Sequence, residues 1–403
     1  MRDIPAQPPA AAPAYEEPAV DPIAARASKV LRRATLPDGR IDIKGLDRAA
    51  LRLALAGLTE EEKLDLRVRQ VFTQLWKNGV TDFADLVRVD GGFRQTLAQK
   101  GALTDLQLQA RIDSDDGSRK YLWKLSTGET IESVLIPDED RPGPNPDRLT
   151  LCISTQVGCA MACAFCLTGD LGLKRNLSVS EITNQPLLVQ RDLGPDKRIT
   201  NLVMMGMGEP LHNYDNLTAA LRILLDNEGM AFSHRRVTVS TVGLVPALQR
   251  LVDESPVNLA ISLNASTEEQ RRRVMPITLR YSMEELMACC RALPIPSGKR
   301  ITFEYVMMAG FNDSDADAAR VFALMQGVKA KVNLIPYNEN PDRDIRRPDD
   351  ARVKAFQHYL VSRGLQCSIR TTRGRDISAA CGQLGKAAEL MARRLGPPIA
   401  APA

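Results

Sequence analysis

Leu149-Thr-Leu-Cys-Ile-Ser-Thr-Gln-Val-Gly-Cys159-Ala-Met-Ala-Cys163-Ala-Phe-Cys166 opens as a short apolar run and ends in three cysteines crowded into an octapeptide. The apolar part, Leu149–Ser154, is the first of six such runs, each followed by a longer segment of helical periodicity. The others are Asn201–Met205, Arg236–Ser240, Asn258–Leu263, Ile301–Val306 and Val332–Ile335; a seventh, Cys367–Thr371, precedes the last helical segment. Short β-branched runs alternating with helical segments are the pattern of strand–helix units around a parallel sheet. Right-handed crossovers curl six units into an α/β partial (β/α)6 barrel, whose working residues gather at the C-terminal ends of the strands.

Outward from this core the composition changes. Residues 1–33 are rich in Pro and Ala with few large apolar side chains, which predicts a disordered tail. Leu51, Leu55 and Leu58, then Val68, Val71, Phe72, Leu75 and Trp76, recur at helical spacing and Gly79 follows as a stop signal. Residues 45–112 are therefore expected to form a small all-helical accessory domain. Lys120–Ile136 reads as two paired strands turning at Ser126–Gly128, so 118–147 is expected to be a β-hairpin linker and 148–395 the barrel with a C-terminal extension.

A chain of 403 residues with 44% hydrophobic content buries a sizeable core. No stretch approaches the roughly 20 apolar residues of a membrane span, and no apolar leader opens the chain, so the expectation is a cytoplasmic protein without membrane contact. Fifty-three basic against 49 acidic residues give +4, which leaves the partner open. A monomer is the default expectation.

Eight cysteines are present. Without an export signal, three of them within eight residues favour metal over disulfide. Thiolates at C-x-x-x-C-x-x-C spacing, Cys159, Cys163 and Cys166, can hold three irons of a cubane and leave the fourth without a protein ligand. Structural zinc would need a fourth Cys or His nearby; none lies in this loop, and the chain's histidines are His212, His234 and His358. Cys289 and Cys290 sit in an apolar helical pattern as packing residues. Gly206-Met-Gly-Glu209-Pro210 follows the second strand as the cysteine loop follows the first. Small polar residues end later strands: Ser240, then Ser262-Leu263-Asn264, then Asn338 just past the sixth.

The cysteine spacing, with Phe165 before the last cysteine, resembles the radical SAM superfamily. That resemblance implies a [4Fe–4S] cluster on Cys159, Cys163 and Cys166 and S-adenosylmethionine bound through its amino group by Gly208 and Glu209. Ser240, Ser262, Leu263, Asn264 and Asn338 become candidate nucleoside, ribose and carboxylate contacts.

Five segments narrow the resemblance to the RlmN and Cfr type of rRNA adenine methyltransferases. They are Arg67-Val-Arg-Gln70 to Trp76, Glu132-Ser-Val-Leu-Ile-Pro137, Leu151-Cys152 to Cys166, Met205-Gly-Met-Gly-Glu-Pro-Leu211 and Arg373-Gly-Arg-Asp-Ile-Ser-Ala-Ala-Cys-Gly-Gln-Leu384. Asn264 and Thr278 depart from the family's usual His and Asn. Adenine carbon 2, set between two ring nitrogens, is electron-poor and cannot attack a methyl sulfonium as a nucleophile. The resemblance implies a radical route in which Cys381 takes a methyl group from one S-adenosylmethionine and a second, split at the cluster, generates the radical. The resulting RNA–Cys381 adduct is released when Glu132 accepts a proton and Cys152 attacks the sulfur to form a transient disulfide.

The implied partners are 23S rRNA, tRNA at the adenine beside the anticodon, and an external electron donor such as flavodoxin or ferredoxin. Candidate phosphate contacts are Arg67, Arg69, Arg119, Lys120, Arg235, Arg236, Arg271 to Arg273, Arg346, Arg347, Arg370, Arg373 and Arg375. An adenine must leave its stack to enter a pocket, which favours a loop or bulge as target. The alternatives are a Cfr-like carbon-8 methyltransferase, a radical enzyme acting on a non-RNA substrate, and a cluster-containing RNA-binding sensor.

Overall fold

A computed structural model describes residues 21–137, 148–340 and 343–385. Residues 1–20 of the expected tail, 138–147 of the expected linker and 386–395 of the expected C-terminal extension lie outside the described residues.

The first unit contains α1 (Pro22–Ala34), β1 (Ile41–Asp42), α2 (Arg48–Leu55), α3 (Glu61–Trp76), α4 (Gly91–Lys100) and β2 (Gly101–Ala102), with β1 and β2 paired in parallel. Helix α1 corrects the expectation of disorder over residues 22–33. Asp21 caps it by accepting from the Ile23 amide at 3.0 Å, and Pro22 stands at the first helical position. Ala27, Val30 and Ala34 form a buried stripe. A Pro- and Ala-rich segment is poor in core residues, but Ala is the best helix former and Pro suits the first turn, so a narrow stripe packed on α2 suffices.

The unit is fastened to the barrel through buried polar contacts. Lys44 is fully buried and donates to Asn184 Oδ1 at 3.1 Å, while Asn184 Nδ2 donates to the Thr104 carbonyl at 2.7 Å. An unpaired ammonium in this position would be strongly destabilising; Asp105 Oδ2, 3.5 Å from Lys44 Nζ, supplies the countercharge, and the amide contacts fix the docking geometry.

The strands that follow are β3 (Gln107–Asp113), β4 (Arg119–Lys124), β5 (Thr130–Pro137), β6 (Leu149–Cys152), β7 (Gln156–Gly158), β8 (Leu173–Asn176), β9 (Asn201–Met204), β10 (Val237–Thr241), β11 (Asn258–Ser262), β12 (Ile301–Met307), β13 (Ala330–Pro336) and β14 (Cys367–Ile369). Ten of them form one sheet in the order β14-β13-β12-β11-β10-β9-β6-β5-β4-β3. From β6 to β14 neighbours run parallel, joined by α6 (Val179–Leu193), α7 (Tyr214–Leu225), α8 (Val245–Glu254), α9 (Glu268–Val274) with α10 (Met283–Ala292), α11 (Asp315–Leu324) and α12 (Asp350–Val361), the partial barrel expected from the sequence. The short α5 is Leu167–Asp170.

Two boundaries differ from expectation. The hairpin β4–β5 does not merely link two domains: β5 pairs antiparallel with β6, so the hairpin continues the barrel sheet. Residues 107–112, placed in the helical domain by sequence, belong to strand β3 on the edge of that sheet. Most of β3 is exposed or half-exposed, so it carries little of the apolar alternation by which strands are recognised. Among the described residues no helix is long and apolar enough to cross a membrane.

Candidate active site

Strands β7 and β8 pair as a small antiparallel ribbon, and the loop between them carries all three clustered cysteines. Gly158 ends β7 at φ +76°, where a Cβ would stand 1.8 Å from the Gly172 carbonyl oxygen, so the ribbon closes only on glycine. The loop leans on the C-terminal segment: the Leu167 amide donates to the Gly382 carbonyl at 2.8 Å, and Thr168 Oγ1 donates to the Leu384 carbonyl at 2.8 Å.

Cys159, Cys163 and Cys166 line one cavity of about 160 Å³ at the C-terminal ends of the strands. All three are free thiols. Burial pushes Cys159 up to about 12, Cys163 well above the ordinary thiol range, and Cys166 upward as well. Thiols so disposed take charge only when a metal supplies the compensating one. No three ligating side chains converge on a single ion position among the described residues.

Gly208 and Glu209 face the cysteines from the loop after β9. Gly208 has φ +103°, and the amide of Glu209 donates to Gln156 Oε1 at 2.7 Å. The Glu209 carboxylate accepts from the Leu211 amide at 3.0 Å and the Val242 amide at 2.9 Å. Burial raises this carboxyl to about 7, against the lowering effect of those bonds and of the Thr241 hydroxyl. A desolvated carboxylate beside exposed backbone is suited to receive an ammonium group.

Ser240, Ser262, Asn264 and Asn338 also line the cavity, whereas Leu263 does not: its side chain is fully buried in the core. Asn264 sits at φ +57°, and its Oδ1 already accepts from the Val306 amide at 2.8 Å, so its amide shapes the loop. Asn338 donates to the Cys381 carbonyl at 3.0 Å, and its buried Oδ1 has no hydrogen-bond partner among the described residues, which leaves an acceptor open to a ligand.

Cys381 lines the main cavity and also a smaller adjoining one, which Cys152 shares. Cys152 is buried, and burial pushes its thiol up to about 12; nearby Cys381 adds to the rise and Arg370 opposes it. Arg370 borders both cavities. Glu132 is not on either cavity wall. It lies on β5 two residues from Val134, which lines the smaller cavity, and its Oε1 accepts from the Gly385 amide at 3.0 Å.

Sequence reasoning missed Thr241, Glu304 and Tyr337, which line the main cavity, and read Arg370 as a phosphate contact. Only Glu304 gave a signal: a carboxylate inside the apolar run Ile301–Val306. Burial raises its carboxyl, and Asn333 donates to it at 2.8 Å. Two more of the expected phosphate contacts are corrected by burial, because Lys120 and Arg271 are each 1% exposed. Arg67 is turned to Asp90 and lies over the Phe93 ring, and Arg69, Arg119, Arg272 and Arg347 are ion-paired.

Residues 153–322 match the family model of the radical SAM superfamily. The chain is 48% identical over 347 residues to the dual-specificity RNA methyltransferase RlmN of Syntrophotalea carbinolica, covering 86% of this chain and 90% of that protein. The RlmN of Geobacter sulfurreducens is 46% identical over 347 residues, covering 86% and 92%. A crystal structure of a radical SAM methyltransferase from Sphaerobacter thermophilus superposes with a TM-score of 0.77 at 40% identity, covering 85% of this chain and 98% of that one. A [4Fe–4S] cluster and S-adenosylmethionine are the cofactors that go with this fold, and the three free thiols and the facing Gly-Glu loop fit them. The chain belongs to the RlmN family of radical SAM RNA methyltransferases.

Proposed function

We propose that this enzyme methylates carbon 2 of an adenine in 23S rRNA and of the adenine beside the anticodon in tRNA, through a methyl group carried on Cys381. The observation that carries the reading is the position of Cys381 between two adjoining cavities, one walled by the cluster cysteines and the other by Cys152. A thiol so placed can collect a methyl group on one side and be resolved on the other.

When bound, the cluster and two S-adenosylmethionine molecules per turnover supply the methyl group and the radical that activates it. The chain's own residues do the rest. Cys159, Cys163 and Cys166 hold the cluster; Gly208 and Glu209 receive the amino group of S-adenosylmethionine. Ser240, Ser262 and the open acceptor of Asn338 orient the nucleoside, ribose and carboxylate, with Leu263 and Asn264 contributing main chain. Cys381 bonds to RNA, Glu132 accepts the proton, and Cys152 attacks the Cys381 sulfur so that a disulfide forms as methylated RNA departs. A flavodoxin or ferredoxin would supply the electron, and the protein works as a cytoplasmic monomer.

The test is anaerobic reconstitution with reductant, methyl-labelled S-adenosylmethionine and unmodified rRNA and tRNA fragments, followed by identification of the nucleoside. 2-Methyladenosine that disappears in Cys381→Ala supports the reading. 8-Methyladenosine would reassign the enzyme to the Cfr-like reaction, and 5′-deoxyadenosine formed without methylated RNA would point to another substrate.

A further inference from the structure

We propose that Lys120 is a positioning residue for proton transfer: it holds the Glu132 carboxylate and ties it to the loop that carries Cys381. The inference rests on the reading of Glu132 as proton acceptor. Lys120 lies on β4, where the register sets it opposite Val134, and Val134 in turn is opposite Cys152 on β6. Glu132 is two residues from Val134, hence on the same face of β5. One face of three adjacent strands therefore presents an ammonium, a carboxylate and a thiol toward the C-terminal loop.

The contacts are short and dry. Lys120 Nζ stands 2.8 Å from Glu132 Oε2 and donates to the Ser378 carbonyl at 3.0 Å, and both charged side chains are at most 2% exposed. Ser378 precedes Cys381 by three residues and is held at φ +52°, a conformation a serine keeps only where its surroundings impose it. The other Glu132 oxygen is bonded to Gly385. The carboxylate is thus registered against the loop on both sides of the reactive sulfur. A buried ammonium is costly unless it is paired, and a surface phosphate contact, the role the sequence suggested, would not be buried at all. In the step concerned, the odd electron left by radical addition would pass to the cluster when bound, the ring C–H bond breaks, its proton passes to a Glu132 oxygen and its electron pair stays in the ring; when Cys152 then attacks the Cys381 sulfur, the C–S pair goes to the methylene carbon, which takes up a proton to become the methyl group. Lys120 exchanges neither protons nor electrons.

The experiment compares Lys120→Gln, Lys120→Arg and Glu132→Gln as cluster-loaded enzymes with methyl-labelled S-adenosylmethionine and RNA. Label on Cys381, methylated RNA released and RNA–protein adduct on denaturing gels are followed together. Lys120→Gln can still donate to Ser378 but lacks the charge. It is expected to load Cys381 within about twofold of the parent while releasing product roughly 10²-fold more slowly, with adduct accumulating as in Glu132→Gln. Lys120→Arg, which keeps the charge, is expected to recover at least part of the release. Normal release by Lys120→Gln, or equal loss of Cys381 loading and release, overturns the proposal, since the latter is what a merely structural lysine would give. Failure of Glu132→Gln itself to accumulate adduct would overturn the reading of Glu132, and the role of Lys120 with it.

Discussion

Replacing Gly208 by Ala tests the construction of the cofactor loop. At φ +103° an L side chain is strained, at about 1–3 kcal/mol. The added Cβ would also stand 2.5 Å from Gln156 Cβ, 2.7 Å from its Cγ and 2.8 Å from its amide nitrogen. Overpacking of this kind costs about 1–3 kcal/mol more. The expected loss is therefore about 2–6 kcal/mol, or roughly 2–7 °C in Tm at about 1.2 °C per kcal/mol for a chain of 403 residues. Gly310→Ala is the control, since Gly310 has φ +68° with nothing within 4 Å of its built Cβ; it should lose only the backbone part, about 1–2 kcal/mol. Gln156 also accepts from the Glu209 amide and donates to Asn176 at 2.7 Å. Pushing it aside moves the carboxylate proposed to receive S-adenosylmethionine, so affinity for it should fall at least roughly tenfold in Gly208→Ala and stay unchanged in Gly310→Ala. Thermal unfolding of the cluster-free protein and calorimetric titration of the cluster-loaded protein measure the two effects. Equal Tm losses with parental affinity in both variants would refute the close-approach argument.

Glu209 gives a pH signature. Its carboxyl is raised from 4.5 to about 7, so between those values the folded state binds more protons than the unfolded one, and stability of the cluster-free protein should fall as pH rises through that window, by about 3 kcal/mol. Denaturant midpoints at pH 5 and pH 8 should converge in Glu209→Gln; an unchanged slope would locate the effect elsewhere. Arg271 donates to the carbonyls of Val242, Ser262 and Leu263 at 2.7, 3.2 and 3.3 Å and to Thr278 at 2.9 Å. Arg271→Met should lower stability by on the order of 3–6 kcal/mol in urea unfolding, and a parental midpoint would show these carbonyls find other partners. Asp116 accepts from the Gly374 amide at 2.7 Å. Asp116→Ala should cost only about 1 kcal/mol overall but speed amide exchange across residues 374–381 while barrel strands stay protected; uniform exchange would contradict a local clamp.

The barrel strands were legible because parallel strands are buried on both faces, and each of the six apolar runs matches an observed strand to within two residues or so at either end. The cysteine loop and Gly-Glu segment were legible because their chemistry is contained in a few consecutive residues. Thr241, Tyr337 and Arg370 were not, since each reaches the cavity through sheet register and loop path rather than through local pattern. Leu263 shows the converse: it sits between two cavity residues in sequence, but strand alternation turns it into the core. Helix α1 was hidden by its composition, and β3 by its exposure on the sheet edge.

The loop bearing Cys381 is held by partners that leave the ribosome early: Ser114 bonds Asp376, Asp116 bonds Gly374, Lys120 bonds Ser378 and Glu132 bonds Gly385, across separations of 253 to 262 residues. At about 5–20 residues per second of synthesis, Lys120 and Glu132 wait roughly ten seconds to a minute for the segment that completes their enclosure. Cys381 thus arrives after every described strand of the barrel has been made. A chain truncated before residue 373 would keep the three clustered cysteines and the Gly-Glu loop but, on the proposed role of Cys381, carry no methyl group to RNA. Completion of the polypeptide is therefore itself a checkpoint on the appearance of nucleic-acid chemistry.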